Sequence, residues 1–86
     1  MSSSHPTDFQ GDVLAAIREA VEGAIAGARC QASGGNGHYS IVVTASAFAG
    51  LGMLASQRLV YAAIAHLLKG AAPPIHAVDS LQTRTE

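Results

Sequence analysis

The histidine and cysteine side chains are the residues of this chain best suited to metal chemistry. They are His5, His38, His66, His76 and Cys30. His76 stands between Ile75 and Ala77 in a short apolar segment that periodicity predicts to be a strand. Successive strand side chains point to opposite faces, so His76 is predicted opposite Ile75 and near an exposed edge. A free imidazole nitrogen there suits iron or zinc, and the alternative is a partly buried histidine bonded to the backbone.

The other candidates are weaker. His38 follows a glycine-rich stretch, and it is either a second ligand or a surface residue at the start of a strand. Cys30 is the less favoured candidate, because a free cysteine commonly packs as a small apolar group. His5 and His66 are predicted to be solvated. No two histidines have the i, i+4 spacing of a zinc protease, which argues against a self-contained metal enzyme.

The bulk composition predicts one small folded domain. The 86 residues are 49% hydrophobic and 13% charged, which favours folding over disorder. We predict the domain over residues 8–81, with a disordered tail at 1–7 and a frayed tail at 82–86. A single cysteine excludes an internal disulfide and fits a reducing compartment. We expect no membrane association and a cytoplasmic location, because the sequence lacks a long apolar run and a signal-peptide pattern.

Two helices are predicted from apolar spacing. A first stripe has its residues four positions apart and consists of Phe9, Val13, Ile17 and Val21. Asp8 or Asp12 can cap this helix, and the start near Asp8 is favoured because it includes Phe9 in the stripe. The second helix is predicted from Met53 or Leu54 to Lys69, where Gly70 follows as a stop signal. Pro73-Pro74 prevents the helix from continuing.

Three strands complete the prediction. A short edge strand is expected around Ala28–Ala32, followed by a turn over Ser33–Gly37. The β-branched run within His38–Thr44 predicts a second strand, and Ile75–Leu81 predicts a third. A short helical turn is expected near Leu51–Leu54. The result is an α+β domain of αββαβ order, with both helices packed on one face of a three-stranded sheet.

The ordered set of segments resembles the BolA family, and especially its bacterial branch. The segments are His38-Tyr39-Ser40-Ile41-Val42-Val43, Phe48-Ala49-Gly50, Gln57-Arg58-Leu59-Val60-Tyr61 and Ile75-His76-Ala77. The resemblance covers roughly residues 9–81 and implies a fold similar to the type II KH fold. It also implies a non-enzymatic adaptor in iron–sulfur trafficking, or in iron or stress regulation.

The resemblance further implies a partner and a cofactor. In that family the histidine at the position of His76 is a ligand of a [2Fe–2S] cluster shared with a monothiol glutaredoxin. A cluster of this kind needs four ligands, and the glutaredoxin brings its own cysteine and that of glutathione. The family's second ligand comes from the loop between the first two strands. That site aligns near Gly35, so His38 is the nearest substitute and Cys30 a more distant one.

Three other predictions stay beside this one. The alternative function is a KH-like transcriptional regulator that binds DNA weakly through Arg58 and Lys69. Gly34–Gly37 fits the GxxG pattern of KH domains, but it lies between two predicted strands. A net charge of −1 also provides little electrostatic attraction for nucleic acid. Catalysis is not expected, because no base accompanies Ser or Cys and no cofactor motif is evident. An exposed strand edge makes a homodimer a further prediction.

Overall fold

The structure is a computed structural model that describes residues 12–85. The elements are α1 (Val13–Ala24), β1 (Arg29–Gly35), β2 (His38–Thr44), a 3-10 turn (Ser46–Phe48), α2 (Met53–Leu68) and β3 (Ala77–Arg84). This order confirms the predicted αββαβ arrangement and the α+β class. Within the described residues, no helix has the length and apolar character needed to cross a membrane.

Helix α1 begins later than the favoured prediction. Asp12 is its N-cap, with extended backbone angles, and the Asp12 carboxylate accepts a hydrogen bond from the Ala15 N–H at 3.2 Å. The favoured start near Asp8 is therefore wrong, because the cap residue leaves the helical conformation and satisfies the free first-turn N–H groups. The predictions for Phe9 and for the tail at residues 1–7 lie outside the described residues.

The sheet has the order β1-β2-β3 and mixed direction. Strands β1 and β2 are antiparallel, with Gly35 opposite His38, and β3 lies parallel to β2 on its other side. The reversal between β1 and β2 is a two-residue turn in which Asn36 and Gly37 both have positive φ, 55° and 84°. This geometry matches the right-handed twist of the paired strands. The hairpin turn is thus shorter than the predicted Ser33–Gly37 segment, because β1 extends to Gly35.

Strand β3 is shifted towards the C-terminus relative to the prediction. It begins at Ala77, so His76 precedes the strand instead of lying within it. The predicted frayed tail is wrong for residues 82–84, which pair with residues 42–44 of β2. The Arg84 carbonyl also accepts a hydrogen bond from Ala45 N–H at 2.9 Å. Backbone pairing with a fully formed central strand stabilises this segment despite its polar sequence.

The core lies between the helices and one face of the sheet, as predicted. Along β2, Tyr39, Ile41 and Val43 are buried, while the alternate residues are partly exposed. The helices cover the buried face with Ile17, Val21, Val60, Ile64 and Leu67. The predicted helical turn near Leu51–Leu54 forms earlier instead, as the 3-10 turn that ends at the buried Phe48. Burial of this aromatic ring holds the β2–α2 connection against the core.

Candidate functional site

His76 has a fixed backbone and an exposed side chain. Its N–H and that of Ala77 both donate hydrogen bonds to the Gly37 carbonyl, at 2.8 and 2.9 Å. Ile75, immediately before it, is 1% exposed and belongs to the core. The predicted opposition between Ile75 and His76 is therefore present, although it comes from a bend before β3. The histidine is held at one end of the sheet with its side chain accessible to solvent.

The His76 ring packs directly over Gly37. A Cβ atom on Gly37 would lie 2.8 Å from Cγ of His76, closer than real Cβ atoms approach, and 3.1 Å from Nδ1, which is tighter than most real contacts. Gly37 also has φ +84°, which L side chains rarely adopt. A glycine is required here for two independent reasons, the hairpin turn and the close approach of the imidazole. The turn that ends β1 thereby positions the histidine that precedes β3.

His38 lies beside this position and contacts an acidic residue. Its Nδ1 is 3.1 Å from Oδ1 of Asp79, and both side chains are more than half exposed. The β2–β3 register shifts by one residue between Tyr39 and Ser40, which leaves Asp79 as an extra residue without a cross-strand partner. Such an irregularity turns a side chain away from its regular direction. When Nδ1–H donates to this carboxylate, Nε2 keeps its lone pair, the arrangement common among metal-binding histidines.

The sheet register brings the two histidines to the same end of the molecule. His38 is the cross-strand partner of Ala77, the residue after His76. Across residues 12–85 no three His, Cys, Asp or Glu side chains converge in a way that would hold a metal ion. This end of the sheet therefore offers a pair of imidazoles rather than a complete coordination sphere.

Cys30 is remote from the two histidines. It pairs with Val43, on the helix-covered face, whereas His38 points to the other face of β2. Val43 lies five positions from His38 along β2, about 17 Å along the strand. Burial raises the pKa of the Cys30 thiol to about 11, with a further rise from the Glu22 charge and an opposing effect of Arg18. The structure does not bring this thiol to the candidate site.

The residues of the nucleic-acid alternative do not form a compact cluster. Arg58 is exposed on α2, and Lys69 is exposed at the C-cap of the same helix. They lie eleven positions apart, about 16 Å along the helix axis. Gly34–Gly37 lies in the β1–β2 hairpin and not at a helix N-terminus, which is where a KH domain grips the nucleic-acid backbone. His66 is exposed on α2, where it lines a surface cavity with Leu67 and Pro74.

Sequence reasoning did not find two residues of the site. Asp79 has the sequence context of an ordinary surface charge, and its contact with His38 depends on the register shift in β3. Gly37 was predicted only as a turn residue, and its contact with His76 joins segments far apart in sequence. A carboxylate three residues after His76 was the one available signal for Asp79.

Comparison with known proteins places the chain in a family. A family model described as BolA-like protein matches residues 8–86. The chain belongs to the BolA-like family. A solution structure of the BolA1 protein from Mus musculus shares this BolA-like fold, with a TM-score of 0.66. The two sequences are 30% identical, over 99% of this chain and 74% of the mouse chain. A search among curated proteins gave no significant match.

Proposed function

We propose that this chain is an adaptor, not an enzyme, that pairs with a monothiol glutaredoxin and contributes His76 to a shared [2Fe–2S] cluster. The observation that supports this most is the combination of a fixed backbone and an exposed ring at His76. A metal ligand offered to another protein must be accessible to it. Because the backbone of His76 is already fixed, less conformational entropy is lost when the partner binds. Membership of the BolA-like family, whose members are generally non-enzymatic, supports the same proposal.

The donor set fits such a cluster only in part. His76 has no side-chain hydrogen bond among those found for the described residues, and His38 can present Nε2 while Asp79 holds Nδ1. The cluster, when bound, supplies iron centres that take imidazole or thiolate ligands and exchange electrons. Two imidazoles make at most half of the four ligands, so the partner must provide the others. We propose that His76 is the main ligand and His38 the second.

The residues around the pair have supporting roles in this proposal. Gly37 fixes the His76 backbone through its carbonyl and leaves room for the ring. Asp79 orients the His38 ring through the contact with its Nδ1. Neutral imidazole binds metal whereas the protonated form does not, so the ligation proposed here weakens in acid. The single buried cysteine is consistent with a reducing compartment, and we place this function in the cytoplasm.

Visible circular dichroism of a reconstituted holo-glutaredoxin tests the proposal. Addition of the wild-type chain should change the cluster spectrum, because an imidazole replaces one of the original ligands. His76→Ala should leave the spectrum unchanged, and His38→Ala should give a partial change. His66→Ala is the matched control, since His66 is an exposed histidine of α2 that is not one of the proposed ligands. An unchanged spectrum with the wild-type chain, or the same change with His76→Ala, would contradict the proposal.

DNA binding and transcriptional regulation have less support. Arg58 and Lys69 provide two positive charges about three helical turns apart, and nucleic-acid affinity depends on how many phosphates a protein neutralises. No distance or cavity brings other basic residues of the described chain to these two. We therefore propose no nucleic-acid function for this helix.

A further inference from the structure

The outer edge of β1 carries a short row of outward-pointing backbone groups. Gly35 and His38 flank the two-residue turn, and residues in that position exchange both of their backbone hydrogen bonds. Along an antiparallel ladder, such pairs alternate with pairs whose N–H and C=O groups point away from the neighbouring strand. The residues at these outward positions of β1 are Cys30, Ala32 and Gly34. Their backbone groups therefore lie along the edge that β2 does not cover.

The Glu22 side chain covers the first of these positions. Its Oε2 accepts a hydrogen bond from the Cys30 N–H at 3.0 Å. A hydrogen bond between the N–H and C=O groups of two strands has a similar length, so this carboxylate oxygen occupies the place that a carbonyl of an added strand would take. Glu22 belongs to α1, which packs against β1, so the helix itself supplies the covering group.

The opposite edge of the sheet is covered in a similar way. The Arg84 carbonyl of β3 points towards β2, since it accepts a hydrogen bond from the Ala45 N–H. Leu81 lies three positions before Arg84, so its carbonyl points outwards. Nε2 of Gln57, on α2, donates a hydrogen bond to that carbonyl at 3.3 Å. One helix side chain thus covers a backbone group on each edge of the sheet.

The covering of β1 is incomplete. Outside the pairing of β1 with β2, the described residues give the Ala32 N–H and carbonyl no hydrogen bond. An uncovered strand edge is a template for pairing with another chain, and native proteins commonly place a charged side chain there to prevent it. The Glu22 carboxylate stands where it can have this role, one outward position before Ala32.

A second copy of β1 is complementary to this edge. When Ala32 stands opposite the same residue of an antiparallel copy, each Cys30 N–H faces the Gly34 carbonyl of the other chain. A two-fold axis at this point uses the same edge of both copies and gives a closed dimer. Pairing of β1 with the β3 edge of another copy would continue without limit, and Gln57 covers that edge. The structure therefore favours β1 of a second copy as the strand that this edge accepts.

We propose that Glu22 blocks the β1 edge against a second copy of this chain. The chain is monomeric while the Glu22–Cys30 contact is made, and two copies join through antiparallel β1 strands when it is lost. The contact removes one hydrogen-bond donor from each copy and places a side chain in the path of the incoming strand. The homodimer expected from an exposed strand edge thus depends on release of this contact. The inference uses no residue of the candidate iron site and does not depend on the proposed function.

Analytical ultracentrifugation of the purified chain tests the inference. The wild-type chain should sediment as a monomer at about 0.5 mM, and Glu22→Ala should self-associate at least roughly tenfold more tightly, because it frees two donors of the dimer edge. Glu22→Gln keeps a side-chain carbonyl that accepts from the Cys30 N–H, so it should remain monomeric. Glu19→Ala is the matched control, since it removes the same charge from an exposed position of the same helix.

Amide hydrogen exchange locates the contact and distinguishes it from misfolding. In Glu22→Ala, protection of the Ala32 amide should increase with protein concentration, whereas the β2 amides should be protected at every concentration, as in the wild type. A Glu22→Ala variant that stays monomeric, or one that associates without protecting Ala32, would overturn the inference. The same conclusion would follow if Glu22→Gln or Glu19→Ala associated as tightly as Glu22→Ala, or if the wild-type chain already dimerised through Ala32.

Discussion

Gly37 links the hairpin turn to His76, and substitution there should affect both. Gly37→Ala places a methyl group 2.8 Å from Cγ of His76 and adds strain at φ +84°. We expect a loss of roughly 2–3 kcal/mol in the free energy of unfolding. Urea denaturation followed by far-UV circular dichroism measures this loss.

Two other glycines separate the causes. Gly50→Ala has a similar φ of +80° with nothing within 4 Å of the new methyl, so it should cost about 1 kcal/mol. Gly35→Ala has neither a positive φ nor a close contact, so it should change the free energy of unfolding very little. Equal losses for the Gly37 and Gly50 variants would show that the His76 ring does not pack over Gly37.

Asp79 should determine which His38 nitrogen carries the proton. In the neutral ring, a hydrogen bond between Nδ1 and the Asp79 carboxylate requires the proton on Nδ1, because a carboxylate only accepts. Asp79→Ala removes this acceptor, so the Nε2–H tautomer should increase. Long-range ¹H–¹⁵N spectra of the imidazoles measure the tautomers, with His66 as the internal control. A His38 spectrum unchanged by Asp79→Ala would show that the contact has no orienting role.

The Cys30 thiol should be unreactive while the protein is folded. Burial raises its pKa to about 11, above the ordinary value of 9.0. The unfolded chain ionises this thiol first, so its contribution to stability is complete below pH 9 and is lost as the pH rises towards 11. Alkylation at pH 8 should be much faster in denaturant than in buffer. Cys30→Ser should flatten the loss of stability above pH 9.

The candidate site could be predicted only where its residues are local in sequence. The opposite directions of Ile75 and His76 were predicted from strand alternation, although the structure produces them through a bend before β3. The contact of Asp79 with His38 required the register shift between β2 and β3, which no local pattern encodes. The distance of Cys30 from the histidines likewise became clear only when its partner in β2 was known.

Among the elements, β3 depends on its last three residues. A chain that ends after Leu81 loses the pairs of residues 82–84 with β2 and the Ala45–Arg84 hydrogen bond. We expect a loss of at least about 2 kcal/mol, a large fraction of the stability of a small domain. A chain that ends after Arg84 retains all these pairs and is the control. Equal urea midpoints for the two shortened chains would contradict a stabilising role for the pairing of residues 82–84 with β2.

Element types were more predictable than their ends. The β-branched residues of β2 and the apolar stripes of the helices are strong periodic signals, and they predicted the right order. The start of α1 depended on which aspartate caps the helix, and Asp12 does so through the Ala15 N–H. The end of β3 depended on pairing with β2, because its polar residues carry no strand signal of their own.

One shared core limits the stability of the molecule as a whole. Ile17, Ile41 and Ile64 bring one fully buried side chain each from α1, β2 and α2. Ile64→Ala should cost roughly 2–5 kcal/mol and unfold a large part of the population, whereas Ile64→Val should cost about 1 kcal/mol. Leu54→Ala, at a residue 62% exposed, is the control and should stay within about 0.5 kcal/mol. The midpoint of the thermal unfolding transition measures the stability of all three variants.

The parallel placement of β3 beside β2 has a consequence for the order of events during synthesis. His38 leaves the ribosome well before His76, and the two come to the same end of the sheet only after α2 has crossed over and the last strand has docked. A nascent chain whose β3 is still inside the exit tunnel therefore displays one imidazole without the other. Under the proposed function, the pair of ligands is the last part of this domain to assemble, so iron capture cannot precede the emergence of β3 from the translation machinery.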